Sequence, residues 1–158
     1  MRVVGLGACV AVAVSTVAIV VLRWAPPPTT AFMLRHQVGV WRAGASEAGV
    51  RYRWVDWADI NPELAVAVVA AEDQRFREHH GLDFAAIRDA LEERRLEGRV
   101  RGASTISQQV AKNLFLWPGQ SWLRKGVESY LTVLIELVWS KRRVLEVYLN
   151  VAEFGNGV

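Results

Sequence analysis

The chain is poor in the residues and patterns that mark several large protein classes. Its single cysteine, Cys9, leaves it without an internal disulfide bond or a cysteine-based metal site. No Gly-x-Gly-x-x-Gly fingerprint and no alternation of strands with helices occurs, which argues against a Rossmann architecture for nucleotide sugars. The adjacent His79 and His80 lack further histidine or cysteine ligands at a suitable spacing. No internal repeat is present, so one domain of ordinary size is expected from 158 residues.

An apolar N-terminal run is the clearest compositional feature that is present. Residues 3–22 carry no charge and are bracketed by Arg2 and Arg23. Twenty residues in a helix span about 30 Å, one hydrocarbon core of a bilayer. A cleaved signal peptide is the alternative, but its apolar region is usually shorter, and no clear small-x-small cleavage site follows this run. We predict an uncleaved single-pass anchor over residues 1–24, whose orientation the flanking charges barely decide.

A predicted juxtamembrane segment, 25–60, follows the anchor. It opens with three prolines at 26–28, which form a stiff extended spacer. Apolar patches at 31–34 and 38–41 either dock on the membrane or pack against the following domain. The alternating residues 51–57 are typical of a short strand.

The charge of the chain is weakly basic, with 19 Lys and Arg against 16 Asp and Glu. The basic residues cluster at Arg94, Arg95, Arg99 and Arg101, and again at Lys141, Arg142 and Arg143. Such clusters attract phosphates of lipids or nucleic acids. Because no nucleic-acid motif accompanies them and an anchor precedes them, we expect a lipid phosphate and no nucleic acid as partner.

Residues 61–158 are predicted to form a mostly helical domain. Asn61 and Pro62 begin a helix whose residues 64–71 are apolar all round, which predicts a buried helix. Asp83 caps a second helix over 84–96 that stops at Gly98. Two further helices, over 122–139 and 141–149, are expected to begin after the caps Ser121 and Ser140.

The segment 102–113 is the richest in chemistry. Thr105 can cap a helix, with Gln108 as its partner in a capping box. A buried stripe is formed by Ile106, Val110 and Leu114. Gln108 and Lys112 share another, polar face, and such a face beside free amides at a helix start suits an anionic ligand. The alternative is a well-capped surface helix with a solvated face.

Two carboxylates are candidates for acid–base chemistry. Glu72 ends an apolar helix, so partial desolvation is expected to prepare it for proton transfer, unless it merely pairs with Arg75. Glu128 lies four residues after Arg124 and three after Lys125. On spacing alone, Glu128 fits a surface salt bridge of little energetic value better than a catalytic role. Two carboxylates beside a cationic, amide-rich helix suit chemistry at the anomeric carbon of a sugar.

Four ordered motifs resemble those of the peptidoglycan glycosyltransferases, glycosyltransferase family 51. The motif E-D-x-x-F-x-x-H-x-G occupies 72–81, and G-x-S-T-x-x-Q-Q-x-x-K-N occupies 102–113. R-K-x-x-E occupies 124–128, and the fourth motif occupies 141–150. An anchor directly before a lone domain of this kind is similar to the monofunctional members of the family.

The resemblance implies a mostly α, lysozyme-like glycosyltransferase domain over 61–158, behind a single transmembrane helix and on the outer, periplasmic face of the cytoplasmic membrane. It implies polymerisation of lipid II into β-1,4-linked glycan strands, with inversion at the donor anomeric carbon and release of undecaprenyl pyrophosphate. On this basis Glu72 takes the proton from the acceptor 4-hydroxyl, and Glu128 orients cations and assists at the donor side. It implies partners in lipid II, the growing glycan strand and the membrane, and leaves open cell-division or cell-wall synthases.

The resemblance also assigns the remaining motif residues. The cations expected to hold or neutralise the pyrophosphate are Lys112, Arg124 and Lys125. Those expected to build and brace the substrate cleft are Ser104, Thr105, Gln108, Gln109 and Asn113. Those in a supporting role are Asp73, Phe76, His79, Gly81 and Gly102. No cofactor is obligatory, although a divalent cation, Mg or Mn, is compatible with this chemistry.

Two departures from the family pattern lead to alternatives. Gln120 stands where several relatives carry an arginine near the pyrophosphate, and the sequence stops at 155–158, where relatives continue into further helices. We therefore expect a C-terminally truncated domain in which a helix such as 64–71 leaves apolar surface exposed. One alternative function is a truncated, inactive, membrane-anchored relative that binds lipid II or divisome proteins. Another is a lysozyme-like hydrolase that releases soluble fragments from finished glycan.

Overall fold

The computed structural model describes residues 2–42, 44, 52–98, 102–119 and 121–152. Within these ranges it is helical and contains no strand, which confirms the predicted mostly α class and is consistent with a lysozyme-like helical domain. The helices are α1 (Arg2–Leu22), α2 (Ala31–Arg42), α3 (Pro62–Glu72), α4 (Phe84–Glu97), α5 (Ile106–Phe115), α6 (Trp122–Val138) and α7 (Lys141–Val151), with a 3₁₀ turn at Trp57–Asp59.

Helix α5 lies at the centre of the domain and packs against α2, α6 and α7. Its predicted apolar stripe of Ile106, Val110 and Leu114 is buried, as the four-residue spacing requires. Apolar residues of α6 and α7 complete this core, among them Leu131, Ile135, Val144, Val147 and Val151. Most of the second motif therefore sits on a helix that its neighbours largely bury.

The helix starts predicted from capping residues are confirmed. The side chains of Asn61, Asp83, Thr105, Ser121 and Ser140 each accept a backbone N–H of the first turn of the helix that follows. Gly98 adopts a left-handed conformation, with φ of 67°, and ends α4 one residue later than predicted.

Helix α3 differs from its prediction. The apolar run was expected to be buried all round, but only Ala65 and Val68 are buried, while Leu64 is 47% and Val66 69% exposed. The reason is that, among the described residues, only one face of α3 has a packing partner. Its open face borders an apolar groove shared with Trp57.

One local prediction before α3, the short strand, is corrected, and the apolar patches take a form that the sequence left open. The patches within 31–41 form one continuous helix, α2, and the described part of the predicted strand, 52–57, is irregular up to the 3₁₀ turn. Side chains of α7 satisfy this backbone instead: Asn150 accepts the Val55 N–H at 2.7 Å and donates to its carbonyl at 2.9 Å. Glu146 accepts the Trp57 N–H at 2.9 Å, so the segment is tied to α7 without a partner strand.

Helix α1 is long and apolar enough over 5–22 to cross a membrane. Its final turns do not stand apart from the domain, because Ile19 is fully buried within the hydrophobic core. The C-terminal end of α1 is therefore packed into the fold.

Candidate functional site

The first and second motifs meet at a cleft between the end of α3 and the start of α5. The cleft has a volume of about 350 Å³. Its lining includes Glu72, Asp73, Arg75, Asp83, Asp89, Gly102, Ser104 and Thr105. Four acidic residues and one arginine therefore line the pocket. The lining also contains residues of the first two motifs, to which the resemblance assigned roles in the site.

Glu72 ends α3 with an exposed side chain. The expected partial desolvation is therefore wrong, because the described residues around the end of α3 leave the carboxylate open to solvent. The Nε2 of Gln109, on α5, donates to Oε2 of Glu72 at 2.8 Å. Pairing with Arg75 is not observed, because the Arg75 guanidinium binds Asp83 at 2.9 Å. Glu72 is thus accessible and oriented by an amide from the second motif.

The residue after Glu72 fastens the first motif to α5. Asp73 is 7% exposed, and its carboxylate accepts the backbone N–H of Ile106 at 3.0 Å and lies 3.0 Å from Nε2 of His79. Gly81 donates its N–H to Nδ1 of His79 at 3.1 Å, so Nε2 carries the proton and donates it to Asp73. Thr105 donates its hydroxyl to the Gly81 carbonyl. These bonds fix the turn after Glu72 against the N-terminus of α5.

Gly81 has no room for a side chain. Its φ is +90°, and a Cβ atom would lie 2.7 Å from Cγ2 of Thr132 and 2.9 Å from Cγ of Glu136, both on α6. We expect Gly81→Ala to lower the free energy of unfolding by about 2–4 kcal/mol, because it adds backbone strain to overpacking. Denaturant unfolding followed by circular dichroism in detergent measures this. Gly126→Ala is the control, because a Cβ there meets nothing within 4 Å, and an unchanged stability of Gly81→Ala would contradict the packing described.

Asp83 caps α4 and closes one side of the cleft. It accepts the Ala86 N–H at 2.8 Å and the Arg75 Nε at 2.9 Å. Burial alone would raise the pKa of Asp83, but the Ala86 N–H and the Arg75 guanidinium outweigh it, so the pKa lies below its ordinary value. Since the folded pKa is depressed, the stabilisation is complete above the unfolded pKa of about 4 and is lost as the pH falls through the folded value.

This linkage predicts a pH-dependent difference between Asp83→Asn and the unchanged chain. At pH 7 the variant is expected to be less stable, because asparagine can cap α4 but has no charge for Arg75. The difference should shrink below about pH 4 as the carboxylate of the unchanged chain is protonated. Unfolding in denaturant from pH 7 to pH 3 measures it, with the exposed Asp59→Asn as control. A difference that stays constant over this range would refute the ionic role of Asp83.

Glu128 occupies a second, cationic site at the start of α6. Its side chain is 3% exposed, accepts Nη1 of Arg124 at 2.9 Å and pairs with Lys125. This burial rules out the alternative of an ordinary surface salt bridge. Arg124 is itself only 12% exposed, and its Nε atom is buried without a hydrogen-bond partner among the described residues. Two cations around one carboxylate leave this site with a net positive charge.

The remaining polar residues in and before α5 have different surroundings. Gln108 is 3% exposed, and its side chain accepts the Thr105 N–H at 3.1 Å, so it completes the predicted capping box. Lys112 is partly buried and places Nζ 5.9 Å from the ring centre of Phe32, on α2. Asn113 is partly buried and Ser104 exposed. In the described part of the chain, no hydrogen bond joins the Glu72 cleft to Lys112 or to the Glu128 site.

The basic cluster 141–143 was expected to attract phosphate, but its side chains contact the domain itself. Lys141 pairs with Glu136 at 2.8 Å and lies 4.5 Å from the ring centre of Phe76, which is 2% exposed. Arg142 lies over the Trp57 ring at 5.4 Å. Arg143 binds Glu146 and backbone carbonyls. Arg99 and Arg101 of the other cluster, like Gln120 and residues 153–158, lie outside the described residues.

Sequence reasoning assigned no role to Glu136 or Tyr148. Glu136 is 5% exposed and accepts the Ser107 hydroxyl, so it links α6 to α5 beside Gly81. Burial, followed by the negative charge of Glu72, raises the pKa of Tyr148 to about 12, which keeps its hydroxyl protonated near the cleft. Tyr148 lies in the fourth motif, and that position was the sequence signal that could have marked it as a candidate residue.

Three side chains beside Glu72 could be read as a metal site. Asp73, His79 and Asp83 each offer one ligand atom, and these atoms lie within 4.8 Å of one another. Both carboxylates already accept backbone N–H groups, and Asp83 also binds the Arg75 guanidinium. A divalent cation would have to displace these bonds beside a fixed positive charge, so the trio fits such an ion poorly.

Comparison with known proteins adds a sequence relationship to this geometry. A family model described as "Transglycosylase" matches residues 42–158. The chain is 55% identical to a "Biosynthetic peptidoglycan transglycosylase" of Pseudomonas entomophila (strain L48), over 91% of this chain and 61% of that relative. Relatives of the same name in Pseudomonas aeruginosa and Xanthomonas oryzae pv. oryzae are 53% and 52% identical, over 92% of this chain and 62% and 60% of their own lengths. The chain thus spans about three-fifths of the length of the curated relatives it matches.

Proposed function

The chain belongs to the transglycosylase family, and from that premise we propose that it is a peptidoglycan glycosyltransferase that polymerises lipid II into β-1,4-linked glycan strands. The observation that carries the proposal is the contact of Glu72 with Gln109, which joins the first two motifs at one cleft and holds an accessible carboxylate in place. Family membership gives the reaction class, and the cleft supplies a carboxylate that can perform its proton transfer.

In the proposed reaction Glu72 is the general base. It takes the proton from the 4-hydroxyl of the acceptor sugar while that oxygen attacks C1 of the donor sugar. The C1–oxygen bond to undecaprenyl pyrophosphate breaks, and inversion follows because attack and departure occur on opposite faces. Asp73, His79 and Gly81 hold the turn behind Glu72 and thereby keep its carboxylate in register with α5.

The departing pyrophosphate is assigned to the cationic residues. Lys112, Arg124 and Lys125 would balance its developing negative charge, and Glu128 would hold the latter two in place. The Nε of Arg124, which is buried and has no partner in the part of the chain that the structure describes, supports this assignment, because such a donor gains from an anionic ligand. We propose no obligatory cofactor; a divalent cation, Mg or Mn, would act with the pyrophosphate and not through the Asp73 trio.

The proposed location is the cytoplasmic membrane, with α1 as a single span and the catalytic domain on its outer face. The division into an anchor (1–24), a juxtamembrane segment (25–60) and a glycosyltransferase domain (61–158) belongs to the same proposal. Lipid II, the growing strand and the membrane are its partners, with cell-division or cell-wall synthases as further candidates. The length and apolarity of α1 over 5–22 support membrane attachment.

The decisive experiment is glycan-strand formation from labelled lipid II by the 158-residue chain in detergent. Polymer of increasing length is the expected product. A parallel incubation with finished glycan tests the alternative: release of soluble fragments there, without polymer from lipid II, would replace the proposal by the hydrolase. Binding of lipid II with no product of either kind would favour the inactive, truncated relative.

A further inference from the structure

Two polar side chains of the fourth motif hold the segment that leads into α3. This segment, residues 54–60, is here called the entry segment. Asn150 accepts the Val55 N–H at 2.7 Å and donates to the Val55 carbonyl at 2.9 Å. Glu146 accepts the Trp57 N–H at 2.9 Å. Neither side chain is among the described residues that line the Glu72 cleft, so the proposed reaction leaves both without a role.

The tryptophan rings of the entry segment rest on the same helix, α7. The Arg143 guanidinium lies 5.0 Å from the ring centre of Trp54, and the Arg142 guanidinium lies 5.4 Å from that of Trp57. Arg143 also donates to Oε2 of Glu146 at 2.7 Å, so the carboxylate that accepts the Trp57 N–H is itself held. Ring contacts and backbone hydrogen bonds therefore fix the entry segment on α7 together.

The entry segment passes this restraint on to α3. The Asp56 carboxylate accepts the indole N–H of Trp54 at 2.8 Å, and the Ile60 N–H donates to the Trp57 carbonyl at 3.3 Å across the 3₁₀ turn. Asn61 follows at once and caps α3. Hydrogen bonds thus run almost continuously from the α7 contacts to the first turn of α3, which leaves this connection little freedom.

Helix α3 depends on its two ends for its direction. Of its residues only Ala65 and Val68 are buried, so packing along the helix restrains it weakly. At its far end, Asp73 accepts the Ile106 N–H at 3.0 Å and provides a fixed point. If the first turn were released, α3 could rotate about that point. A side chain reaches about 5 Å from a helix axis, so a rotation of about 12° would displace the Glu72 carboxylate by about 1 Å.

We propose that Asn150 and Glu146 are positioning residues for Glu72. By fixing the entry segment on α7, they set the direction of α3 and thereby the place of the carboxylate at its end. The bond from Gln109 holds this carboxylate from α5, and the α7 contacts hold the opposite end of its helix. Placement matters because a misplacement of about 1 Å can cost about 100-fold in rate. The inference rests on the proposed role of Glu72 as the base and adds a function for the fourth motif.

Asn150→Ala tests the proposal through the kinetics of polymerisation, because it removes both bonds to Val55. The matched control is Ser140→Ala, which removes the N-cap of the same helix and leaves the entry segment bonds in place. Rates from labelled lipid II in detergent are measured on the 158-residue chain. We expect kcat to fall about 10- to 100-fold in Asn150→Ala and to stay unchanged in Ser140→Ala. The KM for lipid II should stay unchanged in both, because the cations proposed to bind it lie on α5 and α6.

A distance measurement reports the direction of α3 directly. Nitroxides are placed at Ala67→Cys, exposed on α3, and at Leu137→Cys, exposed on α6, after Cys9→Ala has removed the native cysteine. Double electron–electron resonance should give a narrow distance distribution in the unchanged chain and in Ser140→Ala, and a broadened one in Asn150→Ala. Asn150→Asp is a milder second variant that keeps an acceptor for the Val55 N–H and should show a smaller change of the same kind. It takes the place of Asn150→Ala if the latter loses its helical circular-dichroism signal.

Three results would overturn the inference. An unchanged distance distribution in Asn150→Ala would mean that the entry segment does not determine the direction of α3. A broadened distribution with an unchanged kcat would mean that the carboxylate does not depend on that direction. Equal losses of kcat in Asn150→Ala and Ser140→Ala would reduce the effect to the stability of α7. Absence of polymer from the unchanged chain would instead refute the proposed function, while the distance measurement would still show whether the fourth motif holds α3.

Discussion

Glu72→Gln is expected to lower the rate of glycan polymerisation from lipid II by about 100- to 10,000-fold, the range typical for loss of a general base. The amide has nearly the shape of the carboxylate but cannot accept a proton from the acceptor hydroxyl at neutral pH. Its oxygen can still receive the hydrogen bond from Gln109, which now reaches Oε2 at 2.8 Å. The substitution therefore removes basicity and leaves the geometry of the cleft in place.

Because Glu72 is exposed, this experiment can separate a loss of activity from a loss of stability. Because the side chain is not part of the core, the variant should keep the helical circular-dichroism signal and the unfolding midpoint of the unchanged chain. Glu63→Gln, at the other end of the same helix, is the matched control and should polymerise at the original rate. Polymerisation by Glu72→Gln at the rate of the control would remove Glu72 from the role of base.

The local features of the fold could be predicted because they depend on neighbouring residues alone. Asn61, Asp83 and Thr105 cap helices through their own side chains, and a capping box needs only the spacing of Thr105 and Gln108. The stripe of α5 likewise follows from a period close to four residues. These signals predict that the second motif lies on a helix with one buried face.

The features that could not be predicted depend on contacts between distant segments. The apolarity of α3 is the same whether or not a partner covers it, so its residues alone predicted a helix buried all round, although Val66 is 69% exposed. Glu128 could be read as a surface ion pair because spacing along α6 does not reveal burial. Arg143 was read as part of a phosphate-binding patch, whereas its partners lie about 120 residues away, at Leu22 and Ala25.

The buried ion pair at the start of α6 gives the second large effect. Glu128→Met would leave the nearly buried Arg124 guanidinium without its carboxylate, and we expect a loss of about 3–5 kcal/mol in the free energy of unfolding. Arg124→Met should cost less, because Glu128 keeps Lys125 as a second cation. Denaturant unfolding in detergent measures both values. Equal and negligible losses would mean that the pair is screened as a surface pair is, against its burial.

The double variant separates stability from function at this site. Arg124→Met with Glu128→Met removes both charges and should be markedly more stable than Glu128→Met alone, because no uncompensated guanidinium remains and apolar side chains of similar volume fill the space. Polymerisation should stay low, because the guanidinium proposed to face the pyrophosphate is gone. A double variant that regained both stability and turnover would show that Arg124 and Glu128 only hold α6 in place, and the donor site would then have to be sought around Lys112.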